Sequence, residues 1–205
     1  MSETGRFAVF LTVVLAVWTL MHVYVAARVW GLVSSPCAHR WIVASGAALW
    51  LSYPLGRILA HWKVPLIAYP MEFAGAVWMG ALFLALIGLL AADLLTGFGF
   101  LLPSLSRPAR FAALALAGLF TVWGMVQGLR SPAVETREVR VPGLDAGLDG
   151  LVLVQISDLH LGTLLGGRWL GRLVPQVAAL EPDLLLLSGD VIDGDAEGVS
   201  GLGEV

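Results

Sequence analysis

Two short runs toward the carboxyl-terminal end of the 205-residue chain hold the side chains best able to do chemistry. One is Ser157-Asp158-Leu159-His160-Leu161-Gly162, the other Gly189-Asp190-Val191-Ile192-Asp193. Asp158 and His160 can present an oxygen and an imidazole on one side, and Asp190 adds a second carboxylate. Such a mixed donor set suits manganese, iron, zinc or a similar divalent ion better than calcium. Gly189 lets the backbone turn tightly before Asp190, and Asp193 is a candidate to orient a ligand from behind.

For these groups to meet, the segments around them must bring them to one edge. Leu151 to Ser157 is apolar and partly β-branched, bounded by Gly150 and Asp158, and is expected to form a buried strand. A glycine-containing loop, Leu159 to Gly167, leads to Arg168 to Leu180, where Leu170, Leu173, Val174 and Val177 recur at helical spacing. Pro175 can shift or kink that helix. Leu184 to Ser188, between Pro182 and Gly189, is too short for an independent helix and reads as a second buried strand. The sum is one βαβ unit with parallel strands and a right-handed crossover. Ligands of open α/β sheets collect beyond the carboxyl ends of the strands, and neighbouring strands lie about 4.8 Å apart, so Asp158 and Asp190 converge there. The plainer alternative is that both aspartates cap strand and helix ends. Upstream, Glu135 to Val141 alternates polar and apolar side chains as a half-buried strand does, and Pro142 to Gly150 is a turn-rich link.

The two runs resemble the opening motifs of the calcineurin-like metallophosphoesterase family, Asp-x-His at a strand end and Gly-Asp-x-x-Asp at a second. The segment from Val139 to Gln155 is similar to the corresponding strand of the family's membrane-associated branch, in which spanning helices precede the phosphoesterase domain. The resemblance covers about Glu135 to Asp195. It implies two divalent metal ions, with Asp158 and His160 on the first and Asp190 bridging both, while Gly189 and Asp193 support the site without binding metal. It further implies hydrolysis of a phosphomonoester or phosphodiester by in-line attack of a metal-held hydroxide. The family's later motif is Asn-His, followed by further histidines, but this sequence has no asparagine and no histidine after His160. The resemblance therefore implies an incomplete site, a chain truncated after the second motif, and negligible activity for the chain alone. On this reading Gly194 to Val205 is a loop toward missing elements or a frayed end.

Composition fixes the setting of these motifs. The chain is 58% hydrophobic and 13% charged, where soluble domains are roughly 25% charged, which points to a membrane protein. Disorder and a nucleic-acid-binding domain built on positive charge are excluded. Charge divides at Arg130: residues 1 to 130 carry a net +5 and residues 131 to 205 a net −8. Some 20 apolar residues are needed to cross a hydrocarbon core. Four stretches qualify: Phe7 to Ala27, Trp41 to Ala60, Ala74 to Ala92 and Phe111 to Leu129. The first is longer than a signal-peptide core and is expected to stay as a helix. Leu94 to Leu102 is apolar enough to extend the third span or lie along the surface, which leaves a five-segment count open. Trp30, Trp41, Trp62 and Tyr69 cluster near the breaks, as interfacial aromatics do. With four spans, six basic residues (Arg6, Arg57, Lys63, Arg130, Arg137, Arg140) face four (Arg28, Arg40, Arg107, Arg110), favouring cytoplasmic termini. Glu72 and Asp93 sit at segment ends, where they are expected to reach headgroups and water, and His22 is expected to be a hydrogen-bonded helix residue, not a ligand. No glycine-spaced helix seam stands out. Cys37 is the single cysteine and forms no internal disulfide.

The expected architecture is a multi-pass α-helical membrane domain, residues 1–130, followed by the start of an α/β metallophosphoesterase domain, residues 131–205. The expected location is the cell membrane, and the expected partners are the bilayer and a phosphoester, lipid-linked or membrane-proximal, with no nucleic acid. The competing function is a non-catalytic four-helix scaffold or transport-related protein carrying a remnant phosphoesterase segment. A haloacid-dehalogenase-type phosphatase fits less well, because that chemistry wants two aspartates two residues apart, and here the second is His160.

Overall fold

The computed structural model describes residues 2–162 and 165–193. The expected tail, Gly194 to Val205, and two residues of the glycine loop lie outside the described residues. The chain forms two compact units, Met1–Val126 and Gln127–Val205.

Four helices build the first unit: α1 (Glu3–Trp30), α2 (Pro36–His61), α3 (Pro65–Leu95) and α4 (Pro103–Gly128). Each is long and apolar enough to cross a membrane. Prolines at the first turns of α2 and α3 suit positions whose N–H has no partner within the helix. Ser2 caps α1, its Oγ accepting from the Gly5 N–H at 3.2 Å. The Leu94 to Leu102 stretch does not make a fifth span: α3 ends at Leu95, and a 3₁₀ turn, Gly97–Gly99, leads to α4.

Each helix starts before its apolar stretch, and α1, α2 and α3 also run past its end, which changes the reading of two carboxylates. Glu72 lies within α3 and is buried, with Arg57 Nη1 3.1 Å from its Oε1. Asp93 is fully buried. Neither reaches headgroups and water as expected, because a basic residue from another helix position supplies the partner. His22 is hydrogen-bonded as expected. Its Nε2 accepts from the Trp78 indole N–H at 2.9 Å, so in the neutral ring Nδ1 carries the proton, donated to the Trp18 carbonyl at 2.8 Å.

Core packing of the bundle depends on small residues. Val25, Leu82, Ala85, Leu89, Ala92, Ala113 and Ala117 form its buried centre. Helices α2 and α3 touch backbone to backbone at two glycines that the sequence reading passed over. A Cβ on Gly56 would stand 2.7 Å from the Glu72 nitrogen, and one on Gly75 would stand 2.6 Å from the Tyr53 nitrogen. Without a hydrophobic force between helices in lipid, such close approach supplies van der Waals contact. Large apolar side chains on the outside, such as Phe7, Leu20 and Leu119, are exposed, as a lipid-facing surface requires.

The second unit holds β1 (Leu153–Ser157), α5 (Gly167–Ala178) and β2 (Leu184–Ser188). The strands pair in parallel, Leu153 opposite Leu184 and Ser157 opposite Ser188. Helix α5 buries Trp169 and Leu173 against Leu159 and Leu161. Its other contacts fix the incoming chain: Trp169 Nε1, Arg172 Nη2 and Gln176 Nε2 donate to the carbonyls of Arg130, Leu129 and Pro132 at 3.2, 3.1 and 2.9 Å. Spacings of three and four residues put these donors on one helical face. The strand expected over Glu135 to Val141 is not formed, and Val139 and Val141 are exposed. Alternation favours a strand only where a neighbour supplies ladder hydrogen bonds, and β1 and β2 pair with each other. The strands are not buried as expected: Leu153 and Leu184 to Leu187 are each more than two-fifths exposed, since α5 covers the loop residues Leu159 and Leu161.

Candidate functional site

The site forms where the strand pairing runs on past the ends of β1 and β2. Asp158 N donates to Ser188 O at 3.1 Å, His160 N to Asp190 O at 2.9 Å, and Leu161 N to Val191 O at 2.9 Å. Asp193 N returns a bond to Leu161 O at 2.8 Å. The two motif loops are thereby laced together by their own backbones.

Alternation decides which side chains face outward. Leu159 and Leu161 are buried against α5, whereas Asp158 and His160 are exposed. The Asp-Leu-His-Leu order thus anchors the loop with its leucines and leaves a carboxylate and an imidazole on the outside. Asp158 and His160 hold φ values of 53° and 46°, a left-handed conformation rare for residues with a Cβ. Gly189 has φ 72°, and a Cβ there would overlap the Asp158 carboxylate. Only glycine fits, for both conformation and space. Strain of this kind, clustered at the ends of two strands, is characteristic of sites where geometry serves function.

Asp158 and Asp190 are neighbours, since the Asp190 N–H points to Asp158 Oδ1 at 3.4 Å. His160 Nδ1 and Asp193 Oδ1 are 2.8 Å apart. That hydrogen bond, with the charge of Asp193 behind it, raises the His160 pKa above its ordinary value, and the charges of Asp190 and Asp158 add to the effect. When the imidazole is neutral and Nδ1–H donates to Asp193, Nε2 is left with a lone pair, the arrangement common for metal-binding histidines.

Carboxylate and imidazole donors on one edge match the chemistry of a transition-metal site. Among the described residues, however, no three His, Cys, Asp or Glu side chains converge into a group able to hold a metal ion. Asp158, His160 and Asp190 share the edge, with His160 engaged by Asp193. The sequence pointed to all five residues of this edge. It gave no sign of the positive φ at Asp158 and His160, nor that Gly162 approaches Asp193, whose carbonyl oxygen a Cβ would meet at 2.9 Å.

Comparison with known proteins finds partial similarities. A "Transmembrane protein with metallophosphoesterase domain" from Danio rerio is 38% identical over 81 residues, covering 40% of this chain and 18% of the relative. One of the same description from Bos taurus is 36% identical over 90 residues, covering 44% and 20%. The "UDP-2,3-diacylglucosamine pyrophosphatase LpxG" of Chlamydia muridarum is 43% identical over 53 residues, covering 26% and 16%. No protein-family model matches the chain, and no solved structure does. The chain spans about a fifth of the length of the curated relatives it matches. Four apolar helices, a βαβ start and these similarities support the calcineurin-like metallophosphoesterases as its relatives, within their membrane-associated branch.

Proposed function

We propose that this chain is the membrane anchor and first catalytic segment of a metal-dependent phosphohydrolase. The observation that carries the reading is the laced pair of strand-end loops, which sets Asp158 and His160 beside Asp190 at positive φ. Asp158, His160 and Asp190 would each contribute a donor to a divalent ion whose ligand set is completed by groups outside the described residues. A bound divalent ion supplies Lewis acidity toward a phosphoryl oxygen and an activated water. The chain's own part is to orient: Asp193 fixes the His160 ring, and Gly189 gives the Asp158 carboxylate its place. Turnover by this chain alone is negligible on this reading, since the described residues do not converge into a ligand set.

A phosphomonoester or phosphodiester carried by a lipid or held near the bilayer is the substrate class that suits an anchored site. The Chlamydia relative's printed name, a UDP-2,3-diacylglucosamine pyrophosphatase, supports the lipid-linked part of this reading. The basic residues favour cytoplasmic termini, which sets the second unit on that side. That no metal group converges among the described residues favours a second reading, a non-catalytic four-helix scaffold with a remnant motif pair. Manganese titration of the whole chain in detergent, followed by electron paramagnetic resonance, separates the two. Binding that is lost in both Asp158→Asn and Asp190→Asn supports the hydrolase reading, and binding unchanged in both supports the scaffold.

A further inference from the structure

Asp93, near the end of α3, is fully buried, and four nitrogen or oxygen donors converge on its carboxylate. Tyr24 Oη donates at 2.7 Å and Arg110 Nε at 2.8 Å, while Arg110 Nη2 stands at 2.7 Å and Arg28 Nε forms a further ion pair. Tyr24 and Arg110 donate hydrogen bonds to Asp93, whereas Arg28 Nε pairs with it by charge and has no hydrogen-bond partner among the described residues. Its one negative charge balances one guanidinium and leaves the second uncompensated. Arg107, one turn before Arg110 on α4, is exposed, and its Nη2 donates to the Leu32 carbonyl at 3.0 Å. Arg28 and Arg110 thus share Asp93, and Arg107 stands at the same end, where α1 ends and α4 begins, for a formal charge of +2 over the four groups.

The other acids of this unit cannot neutralise that charge. Glu72 stands 21 residues before Asp93 on α3, about 30 Å along the axis, and Glu3 lies at the far end of α1. Beside the cluster, the turn after α3 presents Phe98, Phe100 and Leu101 to the outside, Phe100 at 88% exposure. Arg28 lies 5.8 Å from the Phe98 ring centroid and Arg107 lies 6.0 Å from that of Phe111. An apolar rim around an excess of guanidinium donors matches a molecule with acyl chains and a negatively charged phosphate. We propose that this end of the bundle binds the headgroup phosphate of an anionic membrane lipid through Arg28 and Arg107, with Arg110 held in place by Asp93. Basic pockets between spanning helices recognise lipid headgroups in this way.

Native mass spectrometry of the whole chain, with phosphatidylglycerol and phosphatidylcholine supplied in equal amounts, tests the proposal. Phosphatidylglycerol is expected to be retained in preference. Arg107→Gln is expected to weaken that retention about fivefold, the effect of one surface arginine on anionic lipid. Arg6→Gln, at the opposite end of α1, should leave it unchanged. Equal retention of both lipids, or equal loss in the two variants, would overturn the site. Displacement of the lipid by millimolar inorganic phosphate would show that the cluster takes free phosphate, and would overturn the lipid assignment. Should Arg107→Gln fail to fold, the unaltered chain still decides: its melting temperature should be higher in phosphatidylglycerol nanodiscs than in phosphatidylcholine ones, and identical values would contradict the proposal.

Discussion

His160 Nδ1 and Asp193 Oδ1 are 2.8 Å apart, across two loops joined by backbone bonds from Leu161 to Val191 and from Asp193 to Leu161. The imidazole is therefore oriented by a residue 33 positions away in the sequence. Because the bond favours the protonated ring, its stabilising effect is complete below the ordinary imidazole pKa and is lost as pH rises through the raised value. In NMR titration of the whole chain in detergent, His160 should titrate above the usual imidazole range, and Asp193→Asn should bring it down. A His160 pKa that Asp193→Asn leaves in place would remove Asp193 from its orienting role. Since a metal-binding imidazole must be neutral, affinity for manganese should also fall as pH is lowered through the same range.

Gly189→Ala should disturb the site more than its size suggests. An alanine at φ 72° carries a cost of about 1 to 2 kcal/mol, and its Cβ would overlap the Asp158 carboxylate. The expected outcome is loss of divalent metal binding with the four-helix unit still folded. Circular dichroism checks the helices and manganese titration checks the site; unaltered binding would mean that Asp158 is not held where the geometry has it.

Asp93→Asn should destabilise the bundle. It leaves two buried or half-buried guanidiniums without their counter-charge, and breaking a buried pair costs about 3 to 5 kcal/mol. Thermal unfolding in detergent should show a melting temperature many degrees lower than that of the unaltered chain. A melting temperature within a degree would show that the carboxylate is not the keystone of that cluster.

Gly75→Leu should separate α2 from α3. The nearest atoms to a side chain there belong to the Tyr53 backbone, which cannot yield as a flexible side chain would. Cysteine crosslinking across the two helices should be lost in the variant, while Gly80→Leu, whose Cβ meets nothing within 4 Å, should crosslink as the unaltered chain does. Equal crosslinking in both variants would contradict the close packing.

These contacts mark the boundary of what the sequence made legible. Hydropathy located all four spans, and the Pro182 to Gly189 punctuation located β2 at Leu184–Ser188 as expected. Both signals are local. The misread features depend on distant residues: Asp93 seemed free to face water because Arg28 lies 65 positions before it and Arg110 lies 17 after. Likewise, alternation in Glu135 to Val141 carries no information about whether a partner strand stands beside it. The motif residues were visible by type and spacing, whereas the left-handed backbone at Asp158 and His160 arises from lacing between two loops that only the fold brings together.

The proposed sidedness rests on the positive-inside bias of six basic residues, Arg6, Arg57, Lys63, Arg130, Arg137 and Arg140, against four, Arg28, Arg40, Arg107 and Arg110. A reporter fused after Val205 should be active in the cytoplasm, and one fused within the segment after α1, near Ser34, should be active on the other side. The reverse pattern would invert the topology while leaving the four spans in place.

The edge formed by Asp158, His160 and Asp190 is the proposed metal site. Its most direct measurement is manganese binding by electron paramagnetic resonance, on the whole chain in detergent at neutral pH, beside Asp158→Asn, His160→Ala and Asp190→Asn. The expected result is weak binding of a single ion, reduced at least tenfold by each substitution, with helix content unchanged. Binding of the same strength in all four proteins, or none in the unaltered chain at millimolar manganese, would contradict the account.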